Sequence, residues 1–110
     1  MNIEESHVED VRIVKLTGKM DVIGSRTVQD ALIPSISAGG KLIIDMTDCG
    51  YVASSGLRVL LIAAKQAALV GCRAVLSGVQ PLVWDVIVMT GFEGVLATYP
   101  TQADAIAELG

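Results

Sequence analysis

The stretch from Lys41 to Gly71 constrains the fold most. Lys41-Leu-Ile-Ile-Asp-Met46 is a continuous apolar run flanked by charge. A strand with no alternation is covered on both faces, as at the centre of a sheet. Asp45 to Asp48 then reads as the end of that strand and a short acidic turn. Ser54 or Ser55 opens an apolar helix that runs to about Val70 and stops at Gly71, a residue suited to the left-handed helix end. A buried strand feeding directly into a helix is half of a parallel crossover unit, so helices must pack on the sheet.

The flanking segments extend this pattern. Ile3–Val8 and the alternating Val11-Arg-Ile-Val-Lys-Leu16 read as two strands joined by a turn at Glu9-Asp10. Thr17 to Asp21 then leaves the sheet. Ser25 reads as the cap of a first helix with Val28, Ala31 and Leu32 on one face, ending near Pro34, whose ring clashes with a preceding carbonyl. Cys72–Ser77 is a short strand. Pro81 sits in the first turn of a third helix that ends before Gly91. Val95–Tyr99 is a last strand, and Thr101 caps a final helix, Gln102–Leu109, with Asp104 completing part of a capping box. The order β-β-α-β-α-β-α-β-α implies an α/β fold, a mostly parallel sheet with an N-terminal hairpin, in one domain spanning 1–110.

Composition removes several function classes. The chain has 110 residues, 52% hydrophobic and 18% charged, so it can bury a core and is not a disordered tail. Its net charge is −4 and it has no basic run, which argues against direct nucleic-acid binding. Its apolar runs are far shorter than the ~20 residues of a membrane span, and Asn2, Glu4 and Glu5 do not resemble a signal segment. A cytoplasmic protein is expected, with Cys49 and Cys72 as buried free thiols.

An enzyme is not expected. A serine nucleophile needs a base within reach, and the sole histidine, His7, lies in the first strand. Ala53-Ser-Ser-Gly-Leu57 lacks the first glycine of a nucleophile elbow, and Arg58 cannot act as a base at neutral pH. Asp21, Asp45 and Asp48 could gather at one end of the sheet to hold a cation, or serve as turn residues. No metal and no cofactor are expected.

The second helix carries more apolar surface than one core face requires. Leu57, Leu60, Leu61, Ala64 and Ala68 form the core stripe, while Val59, Ile62, Ala63 and Leu69 fall among Arg58, Lys65 and Gln66. Such a helix is covered on two sides or presents a patch, to a third helix, a second copy in a homodimer, or another protein.

Four segments together resemble the STAS family, named for sulfate transporters and anti-sigma factor antagonists. They are Gly18-Lys-Met-Asp21, Leu42-Ile-Ile-Asp45, Tyr51-Val-Ala-Ser-Ser-Gly-Leu57, and the stretch from Gln80-Pro81 to Met89-Thr-Gly-Phe92. The resemblance covers nearly the whole chain, in the family's order. It implies a non-enzymatic partner switch: the dephosphorylated antagonist binds an anti-sigma factor, often a serine kinase, and releases the sigma factor. Phosphorylation ends that complex and a serine phosphatase resets it.

By the same resemblance the phosphoacceptor falls on Ser54, with Ser55 as the fallback. Ser55, Gly56, Leu57, Arg58 and Ile62 are then the docking surface, flanked by Asp21 and Asp45. Ala53 stands where many members carry an acid. The resemblance also admits an unphosphorylated interaction module of a sensory or transport system, and the helix mouth admits a nucleotide or anion site.

Overall fold

The computed structural model describes residues 1–110. Strand β1 (Asn2–Val8) turns at Glu9-Asp10 into β2 (Val11–Met20), and the two pair antiparallel from Val8↔Val11 to Asn2↔Thr17. Glu9 takes the positive φ of 54° that this tight connection requires. Next come helix α1 (Val22–Leu32), a single 3-10 turn (Ile33–Ser35), β3 (Lys41–Val52), α2 (Ser54–Val70), β4 (Arg73–Ser77), α3 (Pro81–Met89), β5 (Ala97–Tyr99) and α4 (Gln102–Leu109). The spatial order of the sheet is β1-β2-β3-β4-β5, and every neighbour after the hairpin is parallel.

That order dictates where the helices lie. Each crossover steps one strand in the same direction, and right-handed connections then place α1, α2 and α3 on one face. The main core is on that face, built from Val14, Leu16, Leu42, Ile44 and Met46 of the sheet against Val28, Leu32, Leu57, Leu60, Val83 and Ile87 of the helices. Helix α4 follows the edge strand and folds back over the other face, where Ala105 and Leu109 meet Val11, Ile13, Ile43 and Val75. Alternate residues of β3 thus serve both cores, which is why its sequence shows no alternation.

Both central strands are longer than the sequence suggests. Chain β2 does not leave the sheet at Thr17, and no acidic turn follows Asp45. Instead β3 continues beside β2 through two register shifts, between the pairs Lys15↔Asp45 and Thr17↔Asp48, and between Gly18↔Cys49 and Lys19↔Tyr51. The extra residues let Thr47, Asp48, Gly50 and Tyr51 face outward while Cys49 and Val52 stay in the core. Lys15 holds Asp48 at 3.2 Å across the first shift. Polar residues that imitate a turn are therefore the outward side of a bulged strand.

Helix α1 is capped by Asp21, not Ser25. Asp21 has extended backbone (φ −77°, ψ −168°) and its Oδ1 accepts from the Gly24 N–H at 2.7 Å. Ser25 is inside the helix and buried. The helix stops at Leu32 as Pro34 enters the 3-10 turn. Thr101 caps α4 as expected, accepting from the Asp104 N–H at 3.1 Å. Strand β5 is shorter than expected, three residues long.

The buried side of α2 is also rotated from the expected stripe. Gly56, Leu57, Val59, Leu60, Ala63 and Ala67 are buried, Leu61, Ile62 and Ala64 are half-buried, and Ala68 and Leu69 are exposed. Val59 borders the seam with α1, and Leu61 borders an apolar cleft shared with Trp84 and Ile87 of α3. Two neighbouring helices therefore absorb most of the excess apolar surface, and Leu69 remains 82% exposed.

Two glycines let the helices start so close to the sheet. A Cβ on Gly24 would overlap the Lys19 carbonyl oxygen, and one on Gly56 would lie 2.9 Å from Val52 Cγ1 and 3.1 Å from the Met20 carbonyl oxygen. Gly56→Ala is expected to destabilise by about 1–3 kcal/mol, the usual cost of overpacking. Gly24→Ala is expected to cost more, because its obstacle is backbone. Urea unfolding of both variants against wild type checks the order.

Cys49 and Cys72 are buried free thiols, and burial pushes both above the ordinary thiol value of 9.0. The unfolded chain therefore releases these protons first as pH rises. Their contribution to stability is full below pH 9 and is lost through the alkaline range. Replacing both with Ala is expected to flatten the fall of the denaturation midpoint between pH 8.5 and 10.5, a window placed roughly around the ordinary thiol pKa.

Candidate functional site

The starts of α1 and α2 meet at the end of the sheet where the parallel strands finish. The Ala53 N–H donates to the Met20 carbonyl at 3.0 Å, tying the entry of α2 to the exit of β2. Ser25 Oγ lies 2.5 Å from the Asp21 carbonyl oxygen and 3.2 Å from Ser55 Oγ. A hydroxyl has one proton, and the shorter contact takes it. Ser25 therefore donates to Asp21 and accepts from Ser55, so the two helix mouths are joined by a side-chain bridge.

This bridge separates the two serines. Ser55 is half-buried and hydrogen-bonded; Ser54, at the first position of α2, is exposed and bonds no other side chain. Neither is the cap expected of them. The N-cap is Ala53, with extended backbone (φ −78°, ψ 171°) and no side chain to accept from the first turn. The helix N-terminus keeps its partial positive charge uncompensated at Ser54.

The structure divides the expected docking residues. Asp21, Ser54 and Arg58 are exposed, and Ser55 and Ile62 are half-buried. Ile62 lies eight residues into the helix, about 12 Å from Ser54 along the axis. Gly56 and Leu57 are buried and serve the core. Asp45 is withdrawn entirely. It is 4% exposed and lies on the α4 side of the sheet, where its carboxylate accepts from the Thr47 N–H and Oγ1 and from Gln102 Nε2 at 2.8 Å. It anchors α4 and does not flank Ser54.

The three aspartates do not gather: Asp21 caps α1, Asp48 pairs with Lys15, and Asp45 holds Gln102. His7 is exposed beside the hairpin turn, at the opposite end of β2 from Met20.

Sequence reasoning missed the apolar side chains at this end. Val22 and Ile23, the first two residues of α1, are 73% and 80% exposed, and Leu82 in the first turn of α3 is 75% exposed. Tyr51, next to the end of β3, is half exposed. An apolar pair reads as core in a sequence. Only the placement of the cap at Asp21 puts Val22 and Ile23 in an outward first turn.

A missing cap makes a direct forecast. Ala53→Asp is expected to stabilise the protein by about 1 kcal/mol, by accepting from the first-turn N–H groups and facing the helix dipole. The urea midpoint rises with no change in slope if this is so.

Comparison with known proteins agrees with this architecture. The STAS domain model matches residues 2–105. The sequence is similar to that of BtrV of Bordetella bronchiseptica, a candidate anti-sigma factor antagonist, with 25% identity over 108 residues, covering 97% of this chain and 93% of BtrV. In fold it is similar to an anti-sigma factor antagonist from Mycobacterium paratuberculosis, with TM-score 0.86 and 19% identity over 97% of this chain and 92% of the other. The phosphorylated form of SpoIIAA, a Bacillus cell fate determinant, superposes with TM-score 0.75 and 17% identity over 99% of this chain and 100% of its own. With its hairpin, its parallel sheet and the family pattern running from β1 into α4, the chain belongs to the STAS domain family.

Proposed function

We propose that this protein is an anti-sigma factor antagonist of a bacterial partner-switching system, with Ser54 as the phosphorylated switch. The observation that carries the reading is the unequal state of the two serines. Ser54 is exposed and unbonded at the mouth of α2, whereas Ser55 is held by Ser25. A kinase needs a free hydroxyl on an accessible segment, and Ser54 meets that need. The partner in this reading is an anti-sigma factor with serine kinase activity, and a serine phosphatase reverses the modification. Val22, Ile23, Tyr51 and Leu82 are the apolar contacts around the switch, with Asp21 and Arg58 as charged neighbours.

In this reading a phosphate on Ser54 ends docking by charge and bulk, wherever a partner carboxylate approaches it. Phosphorylation adds about −1.5 to −2 charges. The helix dipole offsets roughly 0.3–1 kcal/mol of the resulting repulsion, and up to ~2 when partly buried. A carboxylate about 5 Å away opposes it by roughly 3 kcal/mol per unit charge at an effective dielectric of 20. A thousandfold loss of affinity requires only ~4 kcal/mol. Because Ser54 is outside the core, the domain keeps its fold and changes only its surface.

Intact-mass analysis after incubation with host extract, ATP and magnesium tests the reading. One added phosphate is expected on wild type and on Ser55→Ala, and none on Ser54→Ala. Modification that survives in Ser54→Ala, or none on any of the three, overturns the switch assignment.

A further inference from the structure

Between α1 and α2, beside the serine bridge, lies an open groove of about 260 Å³. Arg26 of α1 and Arg58 of α2 line it together with Gln29, the bridged serines Ser25 and Ser55, and the apolar Val22 and Val59. No carboxylate lines it.

The charge lining it is of one sign, on a protein of net charge −4. The protein carries eight Lys and Arg against twelve Asp and Glu, and its two ion pairs use Lys15 and Lys41. Arg26 and Arg58 are in neither pair, although Asp30 follows Arg26 by four residues on the same helix. The nearby Asp21 carboxylate is occupied by the Gly24 N–H. Two unpaired guanidiniums therefore face one groove, at the end of the molecule where two helix N-termini add positive potential.

We infer that this groove is the polar half of the docking surface, and that it holds an acidic segment of the partner through Arg26 and Arg58. The inference rests on the docking role proposed for this end of the molecule. A guanidinium presents its N–H groups in a fork that matches a carboxylate, and two such forks on separate helices favour a segment with at least two acidic side chains. Charge complementarity decides the class of occupant. On a protein of net charge −4, an acidic segment is repelled by most of the surface and attracted here. The groove also explains the sensitivity of docking to Ser54. Arg58 follows Ser54 by four residues on α2, one turn along the same face, so a phosphate on Ser54 competes with the partner's carboxylates for that guanidinium.

The test uses the isotope-labelled full chain and an N-acetylated tetraglutamate amide as probe, with the tetraglutamine amide as control, read by amide and arginine Nε–H chemical shifts. Titration with tetraglutamate is expected to move Arg26, Gln29, Ser55 and Arg58, and tetraglutamine to move none. Arg26→Ala or Arg58→Ala is expected to weaken binding about fivefold and the pair about twentyfold. Both are surface positions, and an unchanged spectrum elsewhere reports that the variants fold. Shifts that ignore the arginine substitutions, or no shifts at all, overturn the acidic-segment groove. So does inorganic phosphate that binds the same residues more tightly than the peptide, because the groove is then a small-anion site. The phosphorylation experiment on Ser54 is independent of all these outcomes, so loss of one reading is distinguishable from loss of the other.

Discussion

Everything at the end of the molecule that carries Ser54 and Ser55 depends on how closely α1 and α2 approach the end of β2. Gly24 sits against the Lys19 carbonyl and Gly56 against Met20 and Val52, with no room for a side chain at either. Each glycine is the third residue of its helix. The two mouths are thereby brought near enough for Ser25 and Ser55 to share a hydrogen bond. Remove that close approach and the bridge, the groove and the distinction between Ser54 and Ser55 all go with it.

The bridge also explains why one end of a small, largely apolar protein can be stable and still be chemically available. The polar groups that must be buried there are satisfied: Ser25 by Asp21 and Ser55, the Ala53 N–H by Met20, and the Gly24 N–H by Asp21. What is left unsatisfied is on the outside, at the first turn of α2. Leaving the cap position as Ala53 concentrates this exposed polarity at Ser54, at a modest cost in helix stability.

The opposite face has a different task. Asp45 and Gln102 fix α4 over the sheet, with the Ala105 and Leu109 core beneath it. Asp45 is in the middle of the apolar strand and only three residues before Asp48, so the two look equivalent in the sequence. They are not, because Gln102 of α4 covers Asp45, whereas Asp48, opposite Thr17 beyond the register shift, stays open to solvent. One becomes a buried anchor and the other an exposed partner of Lys15.

The order of elements, the parallel sheet with its hairpin, the extent of α2 and the cap of α4 at Thr101 were all legible in the chain. They follow from local periodicity, helix stops at glycine and the constraint that a strand without alternation is covered twice. The amino-acid order by itself also placed Ser54 and Ser55 at the start of α2. It did not reveal that β2 and β3 run on past their apolar stretches, because the hydrogen bonds that keep them in the sheet come from each other. Nor did it reveal that Asp21 caps α1, that Asp45 is buried under α4, or that Val22 and Ile23 face outward. Those outcomes belong to the tertiary structure, since burial and register depend on neighbours distant in sequence, whereas periodicity reports only on neighbours within a turn or a pleat.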